Sequence, residues 1–236
     1  MIRVHRLGKQ IGAEIHGVDV RTLDDAGFAA IYRAWLDYNI VVVPDQHLEI
    51  EDFLRYSRRF GVVHPHPSKS TRHPEHPEIT LLGVNKFGSD GALDQAIYRR
   101  GAEGWHTDGA YDAEPFKATQ LYALAVPSHG GDTLFASMYA AYDALPQRLQ
   151  QRLEGVTGVF TYGGRRKATE GLDDAESDAV IDELTERMIQ PEGEYRHRWR
   201  RGDIVIWDNR CSYHKAAGDY PPEEDRIHWR VSIKEH

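Results

Sequence analysis

The run "IVIW" at 204–207 sits between the turn pair Gly202–Asp203 and the polar stretch that opens with Asp208. Four consecutive apolar residues bounded this way fit a strand buried on both faces. Such a strand needs a layer on each side of its sheet. "NIVVVP" (39–44), β-branched and closed by Pro44, is a second buried strand.

Around these runs the chain is mainly strand with a few helices. "EIHGVDV", "ATQLYALAV" (118–126), "DTLFAS" (132–137) and "IHWRVSI" read as strands, and "EYRHRWRRGD" alternates with a period of two. "DDAGFAAIYRAWLDY" (24–38) has its apolar residues at helical spacing behind acidic leaders. Residues 49–61 and 175–190 read as helices too, and "MYAAYDALPQRLQQRLEG" as a helix interrupted at Pro146. The proline-dense stretch 64–78, "HPHPSKSTRHPEHPE", reads as an irregular loop. With no repeat, linker or low-complexity tract in view, 1–236 reads as one domain.

A net charge of −8 and a pI near 5.9 argue against a nucleic-acid binder, which needs positive surface. No apolar run approaches the ~20 residues that span a bilayer. The N-terminus lacks the apolar core of a signal peptide, and Cys211 is the only cysteine, which together suggest the cytoplasm.

"GWHTDGAY" (104–111) places His106 two residues before Asp108. His47–Glu49, His73–Glu75 and His76–Glu78 share that spacing, so it means little without partners. A partner follows the buried strand: "DIVIW" runs into "DNRCSYH", placing His214 just past a strand end, where scaffolds present ligands. Two histidines and one carboxylate with open positions suit non-haem Fe(II) oxygenases. A structural zinc site wants four ligands, usually including thiolates, and fits less well. Beyond His214 come Arg226 and Arg230, four apart and on one face if "IHWRVSI" is a strand. Arginine's planar fork suits carboxylates.

The sequence resembles the taurine dioxygenase and 2,4-D dioxygenase (TauD/TfdA) family in "IGAEIHGVDV", "WHTDGAY", "PSHGGDTLFASMYAAYDALP", "YRHRWRRGDIVIWDNRCSYH" and "RIHWRVSI". The resemblance implies a double-stranded β-helix, or jelly-roll, barrel with flanking helices. It implies Fe(II) held by His106, Asp108 and His214, with 2-oxoglutarate and O2 as co-substrates. Arg226 would pair with the distal carboxylate of 2-oxoglutarate, assisted by Thr133. Arg230, His66, Lys69 and Tyr111 would contact a small anionic substrate, such as a sulfonate, sulfate ester or aryloxy-carboxylate. The expected products include succinate and carbon dioxide, and hydroxylation is the default outcome. The carboxylate of Asp108 separates the chain from family halogenases, which lack one there. Family members are often dimers or tetramers.

Between "LEGVTGVFTYGG" and "GLDDAESDAVIDEL" the chain is shorter than typical members, a shortened lid around 161–175. Residues 64–78, 84–100 and 161–175 are expected to shape the substrate pocket. The same shortening fits an alternative, a non-catalytic metal-binding jelly roll. A metal-dependent hydrolase is disfavoured because no separate general base accompanies the triad.

Overall fold

The computed structural model describes residues 2–66, 69–83, 104–161 and 170–235. Two sheets and five helices make up these regions. The large sheet holds β1 (Arg3–Arg6), β2 (Ala13–His16), β3 (Ile40–Val43), β4 (Val62–His64), β5 (Thr80–Leu82), β6 (Ala118–Ala125), β9 (Ile204–Asp208) and β11 (Ile227–Lys234). Its order is β1-β2-β3-β9-β6-β11-β4, with β5 also paired to β11. The small sheet is β10 (Ser212–Ala216), β7 (Thr133–Ser137) and β8 (Glu194–His197), in that order. β2 and β3 pair in parallel.

The two-residue period of the central strands sorts their side chains between two layers. Val41 and Val43 of β3, Ile204 and Ile206 of β9, and Val231 and Ile233 of β11 enter one core. Covering it are α1 (Asp25–Tyr38), through Ile31 and Trp35, and α2 (Ile50–Ser57), through Phe53 and Leu54. Ile40 and Val42, Val205 and Trp207, and Leu121 of β6 point the other way, into a second core shared with Phe135 of the small sheet. "IVIW" is thus buried twice over, by helices on one side and the second sheet on the other.

Local chemistry sets the ends of the helices. The Asp24 carboxylate accepts from the Gly27 amide at 2.7 Å and caps α1, which ends where Asn39 turns left-handed at φ 63. α2 opens with a reciprocal capping box between Glu49 and Asp52. It stops at Ser57, three residues short of the expected end before Gly61, and the Ser57 hydroxyl donates back to the Phe53 carbonyl. Pro146 separates α3 (Met138–Asp143) from α4 (Gln147–Leu153) as expected, and α5 is Asp174–Arg187.

Some expectations shift. β2 covers only the first part of "EIHGVDV". Stretch 64–78 is not wholly irregular: His64 closes β4, and Lys69–Thr71 form a 3-10 turn. His214 does not follow a strand end but lies inside β10, opposite Phe135 of β7. Among the described residues, no helix is long and apolar enough to cross a membrane.

Candidate active site

His106 belongs to no long strand, yet it makes an isolated bridge to His214 of β10. The His106 amide donates to the His214 carbonyl at 3.0 Å, and the His214 amide returns a bond of 2.8 Å. This pairing brings the imidazole centroids to 4.3 Å and carries Asp108 in beside them. The ligand atoms of His106, Asp108 and His214 all lie within 4.8 Å of one another, the single such group among the described residues.

The donor set suits a divalent cation. His106 Nδ1 lies 3.1 Å from the Gly104 carbonyl, which can only accept, so Nδ1 carries the proton and the Nε2 lone pair is free. His106 Nε2 stands 4.0 Å from Asp108 Oδ1, and His214 Nε2 stands 3.7 Å from Oδ2. His214 Nδ1 is a buried atom with no hydrogen-bond partner. Burial pushes the His214 imidazole down to about 3, against the pull of Asp108, so it is neutral at physiological pH. Burial would raise the Asp108 carboxyl, but Arg230, the two histidines and Thr119 outweigh it and hold it far below the carboxylate range. A neutral imidazole and an ionised carboxylate are the forms a metal binds.

Both Asp108 oxygens are already oriented. Arg230 Nη2 reaches Oδ1 at 2.7 Å, and the Thr119 hydroxyl donates to Oδ2 at 2.7 Å. Thr119 in turn accepts from Asn209 Nδ2 at 2.9 Å, and Asn209 Oδ1 accepts from Trp207 Nε1 at 3.0 Å. Sequence reasoning passed over Thr119 and Asn209. The signals available were weak: a threonine in a strand reads as a β-former, and Asn209 as a polar turn after "IVIW".

Arg226 stands just before β11. Its Nε donates to the Gly131 carbonyl at 2.6 Å and its Nη2 to Thr133 Oγ1 at 3.3 Å. Among the described residues it has no ion-pair partner. Gly131, at φ +69, permits this approach: a Cβ there would lie 3.0 Å from Arg226 Cδ. Across the arginine, a Cβ on Gly83 would collide with the Arg226 carbonyl at 1.8 Å. His106, Asp108, His214, Thr133, Arg226 and Arg230 all line one cavity of about 200 Å³. The two arginines share this cavity, although Arg226 lies outside β11 and a register shift at Ile227/His228 interrupts the strand spacing that would have placed them on one face.

Tyr111 lines an adjoining cavity of about 180 Å³ with Trp105, Phe160 and Tyr213, and the two cavities share His106. His66 and Lys69 line neither. His66 Nδ1 is 3.5 Å from the Thr71 hydroxyl, and Lys69 is exposed in its 3-10 turn. Stretch 84–100 and residues 162–169 of the shortened lid lie outside the described residues.

A two-histidine, one-carboxylate cluster beside a half-buried arginine is the arrangement of mononuclear non-haem iron oxygenases. The profile of the taurine catabolism dioxygenase TauD, TfdA family matches residues 3–170 and 165–232, and the chain belongs to that family. An (S)-phenoxypropionate/alpha-ketoglutarate-dioxygenase of Sphingobium herbicidovorans is 31% identical, with 96% of this chain and 93% of that protein covered. An alkylsulfatase of Acinetobacter baylyi is 27% identical, covering 98% of this chain and 84% of its own. A taurine dioxygenase structure from Burkholderia xenovorans superposes with a TM-score of 0.82 at 28% identity, covering 100% of this chain and 90% of the other. The chain is therefore an oxidoreductase, a dioxygenase dependent on Fe(II), 2-oxoglutarate and O2. Catalysis is favoured over the non-catalytic alternative.

Proposed function

We propose that the enzyme oxidises a small organic anion, a sulfonate, sulfate ester or aryloxy-carboxylate, most simply by hydroxylating it, with release of succinate and carbon dioxide. The observation that carries this is one cavity lined by the triad and two guanidiniums. His106, Asp108 and His214 would hold iron, which supplies the oxygen activation that no side chain can perform. Arg226 and the Thr133 hydroxyl grip the distal carboxylate of 2-oxoglutarate and turn its other end toward the triad.

Arg230 spends one N–H on Asp108; its remaining donors are offered to the substrate anion. Trp105, Tyr111, Phe160 and Tyr213 line the adjoining cavity beside His106, where an apolar body of the substrate would pack. His66 and Lys69, which line neither cavity, would approach the anion only from outside them. Their segment is tied to the arginine strand, since Arg72 bridges Thr80 and Thr80 pairs with Arg230. The alkylsulfatase and phenoxypropionate relatives support an anionic substrate. The wider reading is a single double-stranded β-helix domain over 1–236. It would work in the cytoplasm, where buried Cys211 stays reduced, with a homo-oligomer as the assembly the family resemblance allows.

The test is a panel of sulfonates, sulfate esters and aryloxyalkanoates, mixed anaerobically with Fe(II) and 2-oxoglutarate and then exposed to oxygen. At least one class should raise succinate release about tenfold over the substrate-free rate. Co-substrate binding without stimulation by any class would sink the substrate reading, and absence of 2-oxoglutarate binding would sink the site reading.

A further inference from the structure

Thr133 Oγ1 has one proton and two lone pairs to place. Trp199 Nε1 lies 3.0 Å from it, and an indole N–H can only donate. Arg226 Nη2, at 3.3 Å, can likewise only donate. Both lone pairs are therefore engaged, and the hydroxyl proton must point in the remaining direction. No acceptor among the described residues takes it. Thr133 is 3% exposed, and what it exposes lines the cavity beside Arg226.

We propose that Trp199 is a positioning residue: by filling a lone pair of Thr133, it fixes that hydroxyl as a donor aimed at the distal carboxylate of 2-oxoglutarate. Without the indole N–H, the hydroxyl can rotate and turn a lone pair toward the anion, which repels it. The inference rests on Arg226 and Thr133 forming the co-substrate site.

The indole is held for this task. The His197 ring meets it edge-on at 4.6 Å and the His228 ring at 4.4 Å, at interplanar angles of 87° and 70°. His197 is anchored in turn through Nδ1, 3.0 Å from the Tyr195 hydroxyl; the buried Asp203 carboxylate lies 3.2 Å from Nε2 but makes no hydrogen bond with it. Trp199 lies between β8 and β9, so both sheets fix its position.

The experiment titrates full-length, Mn(II)-loaded protein by calorimetry with 2-oxoglutarate and with 2-oxobutanoate, which keeps the 2-oxo acid head but lacks the distal carboxylate. Trp199→Phe should weaken 2-oxoglutarate about tenfold, the scale of one hydrogen bond to a charged group, and 2-oxobutanoate less than twofold. Thr133→Val should do the same, Thr133→Ser should retain binding, and the Trp199→Phe/Thr133→Val double variant should be no weaker than about twofold beyond either single one. Equal weakening of both ligands by Trp199→Phe, or of neither, overturns the proposal.

Arg226→Ala separates the two failures. If it leaves 2-oxoglutarate affinity unchanged, the site reading falls; if it abolishes binding while Trp199→Phe does nothing, only the role of Trp199 falls. Should Trp199→Phe not fold, 15N-indole NMR of the otherwise native chain decides. The Trp199 N–H resonance should move on adding 2-oxoglutarate, should not move with 2-oxobutanoate, and should shift in Thr133→Val. An indole resonance indifferent to Thr133→Val disproves the bond.

Discussion

Arg226 and Arg230 lie four residues apart, line the same cavity and live in opposite circumstances. Arg230 is matched to an anion, its Nη2 2.7 Å from Asp108 Oδ1. Arg226 is fenced by neutral acceptors, the Gly131 carbonyl and the Thr133 hydroxyl. A half-buried cation without an ion-pair partner is costly, and desolvation presses the Arg226 guanidinium down to about 10. A fold keeps such a group where a bound anion offsets the cost. One guanidinium therefore serves the metal ligand and shares what remains with substrate, while the other waits for the co-substrate.

Exchanging each arginine for glutamine breaks the comparison most sharply. Arg226→Gln should lower 2-oxoglutarate affinity about 100-fold, the cost of removing one partner of a buried charge pair. Metal affinity should stay within about threefold. Arg230→Gln should do the reverse: 2-oxoglutarate affinity stays within about threefold, while kcat/KM for the anionic substrate falls about 100-fold. Its metal affinity should also hold, because Thr119 still orients Asp108 Oδ2. Calorimetry and steady-state kinetics read both arms. Equal losses of 2-oxoglutarate affinity in the two variants would erase the distinction.

A smaller effect sharpens the Arg230 side. Thr119→Val keeps the side-chain shape but deletes the hydroxyl that orients Asp108, and it strands Asn209 Nδ2 without its acceptor. Outer-shell losses of this kind cost about tenfold in metal affinity. With metal saturating, 2-oxoglutarate affinity should match the native protein, and Thr119→Ser should recover metal binding. A Thr119→Val protein that holds Mn(II) as tightly as the native one would show that Arg230 alone orients the carboxylate.

The asymmetry between the arginines was invisible in the sequence, and the reason is physical. Spacing suggested one face for Arg226 and Arg230, and they do line one cavity, although Arg226 precedes β11 and the register shifts at the strand's start. Their partners are set by pairing between distant segments: Asp108 enters through the His106–His214 bridge, and Gly131 through the turn before β7. The same division runs through the fold. The runs 40–43 and 204–207 and helix α1 carry their burial in their own composition. Strand β10, "SYHKA", and the short β1, β4 and β5 do not; their polar residues become strand because a neighbour supplies hydrogen bonds. His106, Asp108 and His214 were legible as a constellation, whereas Thr119, Asn209 and Trp199 act through side-chain bonds to residues far along the chain.

Between the two arginines lies His228, on the same strand and 0% exposed, with neither ring nitrogen hydrogen-bonded. Burial, then the charge of Arg226, then His197 hold its pKa well below 6.5. In the unfolded chain it titrates near 6.5, so below that pH the unfolded state binds a proton that the folded state refuses. Stability must then fall as pH drops below 6.5, because this residue stays neutral in the folded protein while its unfolded counterpart takes up a proton. His228→Phe keeps an aromatic ring against Trp199 and removes the titration. Thermal unfolding with chelator present should show the variant and native Tm closest at pH 7.5 and diverging in the variant's favour toward pH 5. Parallel Tm curves would mean that His228 is protonated in the folded protein, and that the space between the arginines carries one more positive charge than its burial allows.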